Sequence, residues 1–192
     1  ILSHYDLRFV LLATLVGYAG VTMAYKLLAE ARKGPHRGRG IKGLGAMVVG
    51  SLAIWTIHFI AMQGYAFASP VRYDIPFTVL SYLTVIGSTI VTFIISVSGK
   101  TRPWRALAGS AGALFFASMV VVSVSGLQVQ GRIEWNWLQV SVGYIAACAL
   151  AATAGWLNDA RNTARLLLAS AVATSAVLAA HFLIMPAHQV AF

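Results

Sequence analysis

The sequence predicts an all-α protein: a polytopic membrane helix bundle of six transmembrane helices, built from three two-helix repeats. Three observations carry this. Of the 192 residues, 59% are hydrophobic and 10% are charged, where a soluble domain carries about 25% charged residues. The apolar residues fall into six runs of bilayer length. Two pairs of signatures recur along those runs at a spacing of one helical hairpin. A soluble globular domain could not hide this much apolar surface in one core, and disorder is excluded by the abundance of Val, Ile, Leu, Phe and Ala. The lone Cys148 excludes a disulfide scaffold and multi-cysteine metal motifs.

The apolar runs lie near residues 8–29, 43–65, 77–98, 106–128, 136–157 and 165–186. Each is about 20 residues long, which spans a hydrocarbon core of roughly 30 Å at 1.5 Å per residue. The first run is longer than a signal-peptide core and no small-residue cleavage site follows it. The chain starts at Ile1, so the gene product is expected to begin earlier.

Loop charge sets the expected orientation. The net charge is +9, and 11 of the 14 Lys and Arg residues lie on one side: Lys26, the run from Arg32 to Lys42, Lys100, Arg102, Arg105, Arg161 and Arg165. Arg8, Arg72 and Arg132 lie on the other. Basic residues clustered between apolar runs read as topology signals, not as a nucleic-acid face. The positive-inside rule places the basic loops in the cytoplasm, with both ends of this segment facing outward. A cytoplasmic output would then need a seventh span after Phe192.

Each odd-numbered span is preceded by a related segment: His4-Tyr5-Asp6-Leu7-Arg8-Phe9, Arg72-Tyr73-Asp74-Ile75-Pro76-Phe77 and, more weakly, Glu134-Trp135-Asn136-Trp137-Leu138. Spans 2 and 6 end in His58-Phe59-Ile60-Ala61-Met62 and His181-Phe182-Leu183-Ile184-Met185. Span 4 ends in Ser123-Val124-Ser125-Gly126-Leu127, which aligns Ser123 with the histidines and Leu127 with the methionines. The repeat units are approximately 1–70, 71–132 and 133–192. His58 follows Lys42 by 16 residues and His181 follows Arg165 by 16. Both imidazoles therefore stand about 24 Å above the basic boundary. In each copy the Met four residues on shares the histidine's helix face.

These motifs resemble the MHYT domain family, a bacterial membrane-embedded sensor module, over the whole chain. The segments that carry the resemblance are Tyr5-Asp6, Trp55 to Met62, Tyr73-Asp74 and His181 to Met185. It implies a bacterial inner (cytoplasmic) membrane location with both ends of this segment periplasmic, copper binding, sensing of a diatomic gas (oxygen, carbon monoxide or nitric oxide) and an output in cyclic-di-GMP turnover or transcription. The middle copy has Val122-Ser123-Val124-Ser125, without histidine, and the third has Ala180-His181-Phe182-Leu183. A three-histidine site is therefore absent, which marks a divergent member.

The residues themselves point the same way. Two imidazoles and two thioethers at one depth (His58, Met62, His181 and Met185) make a copper site, because thioether sulfur is soft and imidazole suits both copper oxidation states. Zinc fits less well without a carboxylate or thiolate. Ionisable groups inside membrane spans are rare and usually functional. The bland alternative is a pair of packed histidines hydrogen-bonded to neighbouring helices, with Met filling gaps. His4 and His188 are candidate additional ligands, with a solvated surface imidazole as the alternative for each. Pro186 is expected to draw Met185 out of helical geometry and so to blur the projection of His188. Asp6 and Asp74 fit two roles: helix N-caps, or carboxylates that orient a metal-bound imidazole. Trp55 is placed to wall the site or simply to pack. Tyr5 and Tyr73 read as interface anchors. Gly17, Gly20, Gly43, Gly45, Gly50, Gly109 and Gly112 read as positions of close helix approach.

The leading expectation is a sensory or regulatory domain with copper near the periplasmic face. The alternatives are a haem b electron-transfer subunit, which leaves the methionines unexplained, and a metal-free structural subunit. A transporter is disfavoured by the lack of broken helices and midplane charges. No phosphate loop, nucleophile elbow or catalytic carboxylate pair is present, so any catalytic output is expected outside this segment. Expected partners are the lipid bilayer, a diatomic gas, an output domain or protein and, as one option, a second copy of the chain; nucleic acid is not expected.

Overall fold

A computed structural model describes residues 5–33, 36–66, 71–99, 101–129, 132–159 and 162–191. Among them are six long helices: α1 (Leu7–Lys33), α2 (His36–Gln63), α3 (Ile75–Ser98), α4 (Arg102–Ser125), α5 (Trp137–Leu157) and α6 (Thr163–Ile184). All six are long and apolar enough to cross a membrane. The protein is a multi-pass helical membrane bundle, as the apolar runs predict. Its helices overrun the apolar limits at the basic end. α2 begins at His36 rather than at 43, and α4 at Arg102 rather than at 106. Arg and Lys are good helix formers, so the helix continues where hydropathy falls. Lys100 and Arg161 lie outside the described residues.

The starts of α1, α3, α5 and α6 are fixed by polar side chains that accept from the first orphan amides. Asp74 caps α3 through Phe77 N–H at 3.2 Å, with Pro76 in the first turn. Asn136 caps α5 through Gln139 N–H at 3.2 Å, and Asn162 caps α6 through Arg165 N–H at 3.0 Å. Asp6 accepts from Arg8 N–H at 2.9 Å at the start of α1.

Consecutive helices form three hairpins, α1–α2, α3–α4 and α5–α6. Each hairpin is clasped at its outer end by its own flanking segments. Tyr5 bridges Tyr65 in the first. In the second, β1 (Arg72–Tyr73) pairs antiparallel with β2 (Leu127–Gln128). In the third, β3 (Arg132–Trp135) pairs antiparallel with β4 (His188–Ala191). One backbone bond recurs in all three: the amides of Asp6, Asp74 and Asn136 donate to the carbonyls of Gly64, Gly126 and Ala187, each at 2.9 Å. The repeat read from the sequence is thus physical, and these bonds fix its register.

The even-numbered helices are the more buried and meet in the middle of the bundle. Ile57, Met62, Val120, Val124, Ala180, Ile184 and Met185 are buried there, while Leu15, Leu83 and Ile145 face outward, towards lipid. α4 and α5 pack almost as closely as helices within one hairpin, whereas the α1–α2 hairpin meets α3 and α6 over smaller contacts. Gly109 and Gly155 explain the close pair. A Cβ at Gly109 would overlap the Ala151 carbonyl oxygen, and one at Gly155 the Arg105 carbonyl oxygen. Only glycine permits backbone on backbone at that crossing. Gly109 is among the positions singled out by sequence; Gly155 is not.

Candidate functional site

His58 of α2 and His181 of α6 are fully buried and face each other, with their Nδ1 atoms 3.0 Å apart. Their ring centroids are 5.0 Å apart and the planes lie at 73°. Equal counting from the basic boundary therefore placed both imidazoles at one level, as observed. The remaining ring nitrogens are also engaged. The Tyr5 hydroxyl lies 3.2 Å from His181 Nε2, and the Ser123 hydroxyl lies 2.6 Å from His58 Nε2. Ser123 also donates to the Val120 carbonyl at 3.0 Å.

One arrangement of protons satisfies every group with both imidazoles neutral. Ser123 O–H donates to Val120, and His58 Nε2–H donates to the Ser123 oxygen. His58 Nδ1 then accepts from His181 Nδ1–H, and His181 Nε2 accepts from Tyr5 O–H. Tyr5 suits the donor's part, because burial, and secondarily the neighbouring Tyr65, push its hydroxyl well above the ordinary phenol range. The result is a directed chain of hydrogen bonds from the outer clasp to the middle of the bundle.

Met62 and Met185 lie four residues beyond their histidines and are fully buried. The expectation that Pro186 would pull Met185 out of helical geometry is corrected. Met185 keeps φ −54° and ψ −48°, and its amide donates to His181 O. The chain runs from α6 straight into a 3-10 turn, Met185–Ala187, with Pro186 in its first turn. A proline early in such a turn has no amide to satisfy. His188 turns aside. Its Nδ1 is bonded to the Met185 carbonyl oxygen, and its ring lies 6.4 Å from those of Tyr65 and Trp135. His4 lies outside the described residues.

The carboxylates of Asp6 and Asp74 engage the amides of Arg8 and Phe77. They cap helices, and the imidazoles are oriented by Tyr5 and Ser123 instead. Trp55 faces α3: its indole N–H donates to Ser81 at 3.4 Å and its ring packs on Phe59 and Tyr82. Tyr5, read by sequence as an interface anchor, is 7% exposed and packs edge-on against Tyr65, His181 and Phe182. The signal that could have identified it was its place beside Asp6 in the repeated segment, since the clasp brings that segment over the end of α2.

The clasps also correct the alignment of the middle copy. Counting six residues back from Gly64, Gly126 and Ala187 reaches His58, Val120 and His181. Two residues back lie Met62, Val124 and Met185. Val120 and Val124 are therefore the counterparts of the His and Met, not Ser123 and Leu127. Ser123 stands one turn further out on the same helix face, which is why its short side chain reaches His58.

A largely apolar, half-open pocket of about 100 Å³ begins one turn towards the basic end from the pair and runs on to Leu28 and Ala46. Its lining includes Ile54 and Val177, each four residues before a histidine, with Phe116, Ser88, Gly50 and Ala151.

Comparison with known proteins agrees with this architecture. Residues 52–110 match the MHYT family, described as a bacterial signalling protein N-terminal repeat. The match runs from the last turns of α2, with His58 and Met62, into α4. Over 152 residues, or 77% of its length, the chain is 28% identical to a bifunctional diguanylate cyclase/cyclic di-GMP phosphodiesterase, MucR, of Pseudomonas aeruginosa. The chain spans about a fifth (21%) of that relative. No solved structure matches. The matched repeat lies in a bundle of three clasped hairpins, and the resemblance to the MHYT family is shown at residues 52–110.

Proposed function

We propose that the chain is the sensory membrane domain of a signalling system and that the His58–His181 pair is its receptive centre. The observation that carries this is the direct Nδ1-to-Nδ1 approach of two buried imidazoles where the three hairpins converge. A wholly buried polar chain in a lipid-embedded core is expensive unless it serves a purpose.

Copper fits the donor set. His58 already holds its proton on Nε2; with the His181 proton moved from Nδ1 to Nε2, and the Tyr5 oxygen turned from donor to acceptor, both rings would stay neutral and offer their Nδ1 atoms side by side. Tyr5 and Ser123 would keep hold of the Nε2 atoms and so fix both ring orientations, the task such partners perform around metal ligands. Met62 and Met185 supply soft sulfur from the same helices. No cluster of three or more His, Cys, Asp or Glu exists among the described residues, so an ion held here would have to draw on the thioethers as well. Bound copper would supply a redox-active ion able to take a diatomic gas. The largely apolar pocket that begins beneath the pair would offer such a gas a place to collect.

The signal would pass to an output protein or domain. The resemblance to a cyclic-di-GMP enzyme of Pseudomonas aeruginosa suggests turnover of that nucleotide as the output. The charge asymmetry supports a bacterial inner-membrane location with the site near the periplasmic face.

A metal-free reading rests on one observation: all four ring nitrogens already have partners. On that reading the pair is a structural polar centre. Haem b is less favoured, because imidazoles in direct hydrogen bond leave no gap for a macrocycle. The deciding experiment is metal analysis with an optical spectrum on purified wild type and on the His58→Ala/His181→Ala variant, before and after copper loading. Copper near one per chain, lost in the variant, supports the sensor site. A Soret band would favour haem. Neither metal nor chromophore in the loaded wild type would favour the structural reading.

A further inference from the structure

The basic end of the bundle carries a second polar feature, remote from the histidines. Arg32 in the last turn of α1, Arg39 in the first turn of α2 and Arg105 in the first turn of α4 converge on a pocket of about 190 Å³. Ser96, Val97 and Gly99, at the end of α3, complete its wall. The Nε atom of each arginine is buried and has no hydrogen-bond partner among the described residues. Ser96 is 2% exposed. No carboxylate lines the pocket, and Glu30, close by on α1, is paired with Lys42 at 2.8 Å. The like charges of Arg32 and Arg105 act on each other. Thr101 provides no side-chain cap at the start of α4, so that positive helix end also adds to the field.

Three guanidinium groups gathered from three helices, with buried Nε donors and no carboxylate in the pocket wall among the described residues, are costly to hold together unless an anion joins them. Guanidinium forks match phosphate oxygens in geometry as well as in charge. We propose that this pocket is a binding site for one phosphate-bearing anion, held by Arg32, Arg39 and Arg105. The phosphate can come from an anionic lipid headgroup, which basic pockets at the cytoplasmic ends of membrane helices recognise, or from a soluble phosphate compound. In either case the anion ties α1, α2 and α4 together at the end opposite the histidine pair.

The test uses the full chain purified in detergent, with phosphatidylglycerol and inorganic phosphate as probes. Phosphatidylcholine serves as the neutral reference, and Lys26→Gln, at an exposed position outside the pocket, as a charge-loss control. The readouts are the thermal midpoint across a titration and the adducts retained in native mass spectrometry. The expected result is saturable stabilisation with one adduct per chain. Arg32→Gln/Arg105→Gln should weaken it about tenfold or more, as loss of charge-assisted hydrogen bonds implies, and Lys26→Gln should not. A response to phosphatidylglycerol alone assigns the site to a lipid headgroup. A response to inorganic phosphate, with or without the lipid, assigns it to the phosphate group itself. Should the double variant fail to fold, Arg39→Gln takes its place with the same expectation. A wild type that responds to neither probe, or a folded pocket variant that binds as well as wild type, overturns the proposal.

Discussion

The imidazoles of His58 and His181, 123 positions apart in the chain, meet nitrogen to nitrogen at 3.0 Å in the buried middle of the bundle. Removing one ring strands the other. His58→Ala leaves His181 Nδ1 and the Ser123 hydroxyl without this partner, and His181→Ala does the same to His58 Nδ1 and Tyr5. Each single variant is expected to lose about 1–3 kcal/mol from unsatisfied buried groups, besides any cost of the cavity. The double variant should cost less than the sum by about 0.5–3 kcal/mol, the range for residues in contact. Unfolding free energies of the four proteins in mixed micelles measure this; additive losses would show that the rings do not act as a unit.

Tyr5 gives a test in alkali. Its folded-state pKa is raised, mainly by burial, so between the unfolded value of about 10 and the folded one the native state holds a proton that the unfolded chain has released. Stability must therefore fall as pH rises beyond about 10. Tyr5→Phe removes this group together with its bond to His181. The variant should be about 1 kcal/mol less stable at neutral pH and show a shallower alkaline loss than wild type. Part of the slope should remain, since burial also raises Tyr65 and Tyr73. Melting curves from pH 8 to 11 compare the two slopes, and parallel curves would count against a buried, protonated Tyr5.

Asp74 separates capping from metal support. Asp74→Ala should cost about 1 kcal/mol through loss of the α3 cap while leaving the copper content of the loaded protein unchanged. Metal analysis alongside a melting curve reads both. A fall in copper with intact helices would restore the carboxylate to the site.

The α4–α5 crossing depends on two hydrogen atoms in place of side chains. Gly155→Ala and Gly109→Ala each force a methyl group into an opposing carbonyl oxygen. Overpacking of this kind typically costs about 1–3 kcal/mol, with more expected where backbone must part from backbone. Gly40→Ala in α2, where a Cβ meets nothing within 4 Å, should be neutral or gain up to about 1 kcal/mol of helix propensity. Expression level and thermal midpoint rank the three. Equal tolerance would mean that the helices do not approach this closely.

The spans, the repeat and the shared depth of His58 and His181 were legible because each rests on a local rule: hydropathy over a bilayer length, recurrence of a motif, and a fixed rise per residue. The middle copy was misaligned by three residues because Ser123 presents a polar group where Val120, the true counterpart, presents none. A polar residue draws the eye, but register is held by backbone bonds at Gly64, Gly126 and Ala187, which leave little trace in side-chain identity. Tyr5 was misread for a related reason. Its sequence position before a span is that of an interface residue, and only the bridge to Tyr65 folds it over the bundle. The Arg32–Arg39–Arg105 pocket was hidden because its members come from three helices, and in the sequence they merge into a charge count.

Tyr5 and His58 belong to the first hairpin, His181 to the third and Ser123 to the second. Every bond between two side chains in the pair's network therefore crosses the boundary along which the first hairpin rests on the other four helices, of which α4 and α5 are locked by the glycine crossing. Mechanically the network is a latch on a door whose frame is rigid. Anything that rearranges those few bonds would let one leaf swing as a body, so the natural coordinate of motion is the tilt of α1–α2 against the rest.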